Sequence, residues 1–175
     1  MSRSPLLRIS GSGPRGVLCR AGTTAEERRD ISSEQNKAIV RRAYEEAWNK
    51  GKLAVIDEIL ASDSVGHDPA NPEPIRGPEG LKQTISMYRD AFPDLTFTIV
   101  DQVAEGDKVA TRWTSRGTHK GDLFGTAATG KQTTVSGMEI SRLVGGKVVE
   151  THVSWYTLGL LQQLGTVPAL APAQV

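Results

Sequence analysis

The apolar residues of this chain change their spacing once, near Leu95, and this change constrains the fold more than any other feature. Upstream, apolar residues recur every three or four positions, as on helices with one buried face. Downstream, they alternate with polar residues, as on half-buried strands. Helices followed by consecutive hairpin-connected strands predict an α+β domain, with the helices packed on one face of an antiparallel meander.

The first helix is predicted over residues 33–50. Ser32 and Gln35 match a capping box, so Ser32 is the expected N-cap. Tyr44 and Trp48 fall on the apolar stripe of this helix, whose opposite face is charged. The pattern therefore directs two aromatic side chains into the interior.

Two more helices precede the strands. The second is predicted over about residues 52–61, and a loop with three prolines separates it from the third. Pro78 suits the first turn of that third helix, and Pro93 ends it.

The second half predicts four strands and a short closing helix. Glu-Gly-Asp at 105–107 is a turn sequence, and Gly-Gly at 145–146 is typical of a tight hairpin. The first predicted strand begins at Leu95, and the other three cover about residues 109–116, 132–144 and 147–157. A helix or turn is predicted to follow over residues 158–164.

The composition excludes several classes of partner. The chain has 175 residues, enough for one domain, and its formal net charge of +1 creates no field that would attract nucleic acid or an anionic membrane. No apolar run approaches the ~20 residues that a membrane-spanning helix needs. The single cysteine, Cys19, cannot form an intramolecular disulfide and is compatible with a reducing compartment. We therefore expect a cytoplasmic protein with no nucleic-acid or membrane partner.

The N-terminal residues differ in composition from the rest. The first 25 contain four arginines and no acidic residue, which is compatible with an organellar transit peptide. No amphipathic period supports that interpretation, and a disordered basic tail over residues 1–31 is favoured. The predicted domain covers 32–166, and a flexible tail covers 167–175.

Several short stretches, none specific by itself, fall in one order and spacing. They are Trp-Asn-Lys-Gly at 48–51, His-Asp-Pro at 67–69, Gly-Pro-Glu-Gly-Leu-Lys at 77–82, Phe-Pro-Asp-Leu at 92–95, Ala-Glu-Gly-Asp-Lys-Val-Ala at 104–110, Gly-Thr-His-Lys-Gly at 117–121, Gly-Lys-Val-Val-Glu at 146–150 and Leu-Gly-Leu-Leu-Gln-Gln-Leu-Gly at 158–165. Over about residues 34–166 this set resembles the SnoaL-like polyketide cyclases and ester cyclases, within the nuclear-transport-factor-two-like fold.

The resemblance implies a cone-shaped barrel, in which three N-terminal helices pack on a curved antiparallel sheet and enclose an apolar pocket. It implies a homodimer formed through the outer sheet face. It also implies ring closure by an intramolecular aldol reaction, in which a base removes a proton next to a carbonyl and an acid protonates the new alkoxide. Members of this superfamily with other activities, or none, share the fold, so fold alone does not fix the reaction.

The resemblance places a key aspartate on the last strand, shortly before Leu-Gly-Leu-Leu, and Tyr156 stands there in this chain. A phenol with a pKa of about 10 is a poor base near neutrality, although it can donate a proton. His152 lies four residues earlier, so a strand would place both side chains on one face, which we expect to face the pocket. We predict His152 and Tyr156 as the catalytic acid–base pair; a histidine that is merely hydrogen-bonded by its neighbours is the alternative.

Two more histidines occur. His67 is predicted to point into the pocket and to be catalytic, with Asp68 pointing away, because adjacent residues of an extended segment face opposite ways; a loop histidine that caps backbone groups is the alternative. His119, flanked by glycines, is predicted to shape a strand exit rather than to be catalytic.

No histidine pair has zinc-like spacing, so no metal site is predicted. A site assembled in space from His67, His152 and a carboxylate stays open as an alternative. No motif indicates a nicotinamide, flavin or haem cofactor.

Bulky side chains are expected to line the pocket, and we predict five as substrate-binding: Tyr44, Trp48, Met87, Trp113 and Phe124.

Glu139 alternates with Met138 and Ile140 along a predicted strand, so it faces opposite to them. A pair of Arg112 with either Glu139 or Asp101 could resemble the acid–arginine pair of related epoxide hydrolases. A surface ion pair between neighbouring strands is favoured.

Three functions are compatible with these features. The first is a cofactor-free cyclase or isomerase acting on a small apolar carbonyl compound or polyketide-like metabolite. The second is a non-catalytic protein of the same fold that binds such a ligand, and the third is a scaffold that uses the outer sheet face. The enzyme is favoured, because a pocket bearing His and Tyr is better explained by chemistry than by sheet stability.

Overall fold

The first helix is longer than the sequence pattern predicts. In the computed structural model, which describes residues 25–168 (side chains from residue 33), α1 spans Ala25–Arg42 and continues directly as a π-helical segment over Ala43–Trp48. The predicted start at Ser32 is wrong, because the upstream Ala-Glu-Glu-Arg stretch consists of good helix formers with acidic residues near the N-terminus. The rest of the predicted N-terminal tail, residues 1–24, and residues 169–175 of the predicted C-terminal tail lie outside the described residues.

The second helix is shorter than predicted and leads into a strand that the pattern did not indicate. Helix α2 covers Ala54–Ile59, and β1 follows over Leu60–His67. A two-residue strand, β2 (Ile75–Arg76), then precedes α3 (Gly77–Ala91), which has Pro78 in its first turn as predicted. The Ser and Asp residues of β1 have low strand propensity, so pairing with a distant strand, not local pattern, explains it.

The remaining elements agree with the predicted periodicity. They are β3 (Thr96–Glu105), β4 (Lys108–Thr118), β5 (Gln132–Val144), β6 (Lys147–Trp155) and α4 (Thr157–Leu164). Gly145 and Gly146 have φ angles of 56° and 76°, as a type I′ hairpin turn between β5 and β6 requires.

The six strands form one mixed sheet in the order β2-β1-β6-β5-β4-β3. Neighbours run antiparallel except β1 and β6, which run parallel, with His67 in register with His152. The predicted meander is therefore correct for β3 to β6. The prediction of a wholly antiparallel sheet is wrong at β1, which joins the free edge of β6 in the same direction.

The helices cover one face of the curved sheet and bury it. Along β5, the odd-numbered residues from Thr133 to Leu143 face the helices, whereas Met138 and Ile140 are exposed on the outer face. This alternation confirms the predicted α+β architecture with helices on one face. Within the part of the chain that the structure describes, no helix has the length and apolar character needed to cross a bilayer.

Candidate functional site

A cavity lies between the helices and the inner face of the sheet. Its empty space, the open mouth included, is about 1280 Å³. The lining is mostly apolar, with aromatic rings from both the helices and the strands: Tyr44, Trp48, Tyr88, Phe97, Trp113 and Trp155.

The π-helical segment positions two of these rings. The backbone N–H of Asn49 donates to the carbonyl of Tyr44, five residues earlier, at 3.0 Å, which is the wide-turn bond of a π-helix. The Asn49 side chain then donates to the Phe97 carbonyl at 2.9 Å and accepts from the Phe97 N–H at 2.7 Å. The rings of Tyr44 and Trp48 pack on Phe97, with centroids 5.6 and 5.0 Å away. The helix end is thereby fixed to β3.

Glu139 of β5 brings a carboxylate into this cavity. Tyr44 Oη donates to Glu139 Oε2 at 2.9 Å, and Ser141 Oγ donates to Oε1 at 2.5 Å. Burial raises the pKa of Glu139, the hydrogen bonds from Ser141 and Tyr44 oppose that rise, and the charge of Asp68 adds to it. Burial also raises the pKa of the Tyr44 phenol, and the charge of Glu139 contributes. A carboxyl group in this environment can take up and return a proton.

Buried side-chain donors of three residues that line the cavity have no hydrogen-bond partner among the described residues. They are Tyr88 Oη, Ser64 Oγ and Trp113 Nε1. Burial raises the pKa of Tyr88, and the nearby charge of Asp68 adds to this, so the phenol stays protonated. Because an unpaired buried donor costs about 1–3 kcal/mol, these groups are suited to bind polar atoms of a ligand.

Asp68 supplies a second carboxylate. Its Oδ1 accepts from Trp155 Nε1 at 3.0 Å and from the Ala70 N–H at 2.8 Å. The prediction that Asp68 points away from the pocket is therefore wrong, because this side chain lines the cavity and holds a cavity-lining indole. His67 also borders the cavity, but its ring stacks on that of His152, with centroids 4.5 Å apart and planes 12° apart.

His152 and Tyr156 do not lie in the cavity. On β6 the inward positions include Val153 and Trp155, so His152 lies on the opposite face, with 59% of its side chain exposed. The strand ends at Trp155, and Tyr156 turns away at the start of α4, where its ring lies over Gly159 and is 56% exposed. The predicted placement fails because the face of β6 that carries His152 is the outer one, and because the strand ends before Tyr156.

Three of the five side chains predicted to bind substrate line the cavity: Tyr44, Trp48 and Trp113. Met87 does not, because α3 presents the stripe that includes Thr84 and Tyr88 instead. Phe124, in the connection after β4, is 47% exposed and does not line the cavity, although its ring packs edge-on against that of Tyr88, with centroids 6.0 Å apart.

His119 is fully buried away from the cavity lining. Its Nδ1 accepts from the Thr129 N–H at 3.3 Å, and its backbone N–H donates to the Lys131 carbonyl at 2.9 Å. These bonds close the connection between β4 and β5, as expected for a residue that shapes a strand exit.

Sequence reasoning missed Glu139 as a cavity residue. The predicted Glu139–Arg112 pair is wrong, because Arg112 is in register with the exposed Met138, whereas Glu139 is in register with Thr111. The alternative partner, Asp101, is in register with Arg112. The sequence feature that could have identified Glu139 is the strand alternation: Glu139 alternates with Met138 and Ile140, so it occupies the face opposite to them. From the sequence, a single charged residue on that face is interpreted as solvent-exposed. Its place in the cavity becomes apparent only when its hydrogen-bond partner Tyr44, 95 residues away, is known.

Comparisons with known proteins point to one family. Residues 38–164 match the family model of the SnoaL-like polyketide cyclases. Over 131 residues the chain is 30% identical to the aklanonic acid methyl ester cyclase DnrD of Streptomyces peucetius, covering 73% of this chain and 88% of that protein. It is also 30% identical over 131 residues to DauD, the enzyme of the same name from Streptomyces sp. (strain C5), covering 73% and 80%.

Solved structures give the same result. Wild-type IdmH of Streptomyces antibioticus is 34% identical and superposes with a TM-score of 0.65, covering 75% of this chain and 99% of that one. A protein with a ketosteroid-isomerase-like fold from Catenulispora acidiphila DSM 44928, solved with trimethylamine, superposes with a TM-score of 0.63 at 19% identity, covering 77% and 97%, which shows the fold alone. The chain therefore belongs to the SnoaL-like polyketide cyclase family.

Proposed function

We propose that the chain closes a ring in a polyketide-derived carbonyl compound, by an intramolecular aldol reaction inside the cavity. The observation that carries the proposal is Glu139, whose carboxylate is oriented by two hydroxyl groups in an apolar cavity. The curated relatives are named as aklanonic acid methyl ester cyclases, which supports an ester of this kind as the first substrate to test.

In this proposal Glu139 acts first as a base and then as an acid. Its carboxylate removes a proton from a carbon next to a carbonyl, which leaves an enolate and a protonated Glu139. The enolate carbon attacks a ketone carbon of the same molecule, so a carbon–carbon bond forms and the ketone π bond becomes an alkoxide. Glu139 returns the proton to the alkoxide. Substrate and product are isomers, and the reaction consumes no cofactor.

Tyr88 is suited to stabilise the enolate oxygen. Tyr88 lines the cavity, its buried hydroxyl has no partner among the described residues, and its raised pKa keeps it a hydrogen-bond donor. Removing a donor of this kind typically costs about 10²–10³ in kcat. Asp68 holds the Trp155 indole. Burial raises the pKa of Glu139 and the charge of Asp68 adds to that rise, which makes Glu139 a stronger base.

The test is to incubate the protein with aklanonic acid methyl ester and to detect, by chromatography, the formation of an isomer of unchanged mass. Glu139→Gln is expected to keep its far-UV circular dichroism and to lose at least about 10² in rate. Glu105→Gln is the matched control, because Glu105 is exposed at the end of β3. Equal rates for wild type and Glu139→Gln would exclude Glu139 as the base.

A binding protein of the same fold is the second candidate. The observation that favours it is Tyr156, which occupies the position where the family resemblance expects a carboxylate and which is exposed. In that case the ester would raise the midpoint of thermal unfolding of the wild type, and no isomer would form. Formation of the isomer by the wild type excludes this candidate.

We also propose that the chain forms a homodimer through the outer face of the sheet. Large apolar side chains are exposed on the strands of this sheet: Val100, Val103, Met138, Ile140 and Val144. Grouped exposure of this kind is typical of an association surface. Sedimentation velocity is expected to give a dimer that Met138→Glu weakens, and a monomer at micromolar concentration would contradict the proposal.

A further inference from the structure

Three side chains with metal-ligand chemistry meet on the outer face of the sheet, where β1 pairs with β6. His67 is in register with His152, and the two rings stack with centroids 4.5 Å apart. Glu150 lies two residues before His152, hence on the same face, and its Oε1 is 3.3 Å from His152 Nε2. One ligand atom from each of the three side chains lies within 4.8 Å of the other two.

Two imidazoles and one carboxylate are a suitable ligand set for a borderline divalent cation. Zn²⁺ takes such ligands at about 2.0–2.2 Å in tetrahedral geometry, with water in the fourth position. Ligand atoms at those bond lengths lie about 3.4 Å apart. The Glu150–His152 spacing already agrees with this, and His152 is exposed enough to rotate toward His67.

Arg142 orients the carboxylate of this cluster. Arg142 on β5 is in register with Glu150, and its Nε donates to Glu150 Oε2 at 3.0 Å. The hydrogen bond occupies one carboxylate oxygen and directs the other, Oε1, toward His152. Outer hydrogen bonds of this type hold ligating carboxylates in metal sites.

We propose that His67, Glu150 and His152 bind one Zn²⁺ or a similar borderline divalent cation, with water as the remaining ligand. The ion would join β1 to β6, the parallel pair within the described sheet, directly before Asp68, whose carboxylate lines the cavity. Binding would therefore stabilise this strand pair and the cavity rim. The site does not depend on the role proposed for Glu139.

Equilibrium dialysis of the metal-free full chain against ZnCl₂ tests the site. A Cys19→Ser background is used, because a thiol also binds zinc. We expect one zinc per chain and a higher midpoint of thermal unfolding with Zn²⁺, but not with Mg²⁺, which prefers oxygen ligands. His67→Ala and His152→Ala should each abolish both effects, and Arg142→Gln should weaken binding roughly tenfold. Asp101→Asn, which changes an exposed carboxylate on β3, is the control and should bind as the wild type does.

A second readout separates the three histidines. In NMR spectra the Cε1–H signals of His67 and His152 should shift on addition of ZnCl₂, while the signal of the buried His119 stays in place. Absence of zinc binding, or equal affinity in the wild type and His67→Ala, would overturn the site. Half a zinc per chain with zinc-dependent dimerisation would also overturn it, because the ion would then lie between two copies.

Discussion

The Tyr44 hydroxyl donates a 2.9 Å hydrogen bond to the Glu139 carboxylate, which joins residues 95 positions apart across the cavity. Ser141 holds the other carboxylate oxygen. The carboxylate therefore has a fixed orientation before any ligand binds, and such preorganisation is what a positioned base requires. The π-helical end of the first helix and the middle of β5 are the two elements that create this contact.

Tyr44→Phe is expected to move the acidic limb of the pH–rate profile to higher pH. The Tyr44 hydrogen bond lowers the pKa of Glu139 against the larger effect of burial, so its loss raises that pKa further. The basic form of Glu139 then appears only at higher pH. Measurement of kcat/KM against pH checks this, with Tyr156→Phe as the exposed control. A limb that stays in place in Tyr44→Phe contradicts the assigned contact.

Glu139→Gln is expected to gain stability relative to the wild type as pH rises. The pKa of Glu139 is higher in the folded protein than in the unfolded chain. Its contribution is therefore fully present below the unfolded pKa of about 4.3 and is lost as pH rises through the folded value. Gln has no such dependence. Free energies of unfolding from urea titrations at about pH 4 and pH 8 should show this trend for Glu139→Gln and not for Glu105→Gln. Absence of the trend in both variants would indicate that the Glu139 carboxyl is solvated.

Tyr88→Phe is expected to lower kcat by about 10²-fold without loss of stability. The hydroxyl is buried without a partner among the described residues, so its removal does not break a hydrogen bond of the folded state. Thermal unfolding and steady-state kinetics on the same preparation separate the two effects. An unchanged kcat would remove Tyr88 from the proposed oxyanion site.

Gly137→Ala is expected to destabilise the fold by about 1–3 kcal/mol. A Cβ at this position would collide with the Trp113 ring and lie 2.8 Å from Trp155 Cβ, so both cavity-lining indoles would have to move. Urea denaturation checks the prediction, with the exposed neighbour Ser136→Ala as a control expected within about 0.5 kcal/mol of the wild type. Equal stability of the two variants would show that the indoles move freely.

The fold was predictable where local pattern and burial coincide. The alternation of β5 and β6 and their Gly-Gly turn indicate a hairpin, and the structure has it. β1 was not predictable, because its sequence, with Ser62, Asp63 and Ser64 in succession, has no strand period. It forms by pairing with β6, more than 80 residues further along the chain.

The site was predictable only in its apolar part. Aromatic residues such as Tyr44 and Trp113 belong inside by their hydrophobicity alone. Glu139 and Asp68 become recognisable only through their partners Tyr44 and Trp155, which are distant in sequence. His152 was assigned to the wrong face, because period two tells which residues share a face and does not tell which face is covered.

The most direct test of the account is the titration of the Glu139 carboxyl carbon by NMR, in protein labelled at glutamate and assigned with Glu139→Gln. The account predicts a midpoint above the value of about 4.3 that is ordinary for glutamate, because burial in the cavity disfavours the charge. A midpoint at or below that value would contradict it, since the carboxyl would then be solvated and unsuited to exchange a proton with a bound carbonyl compound.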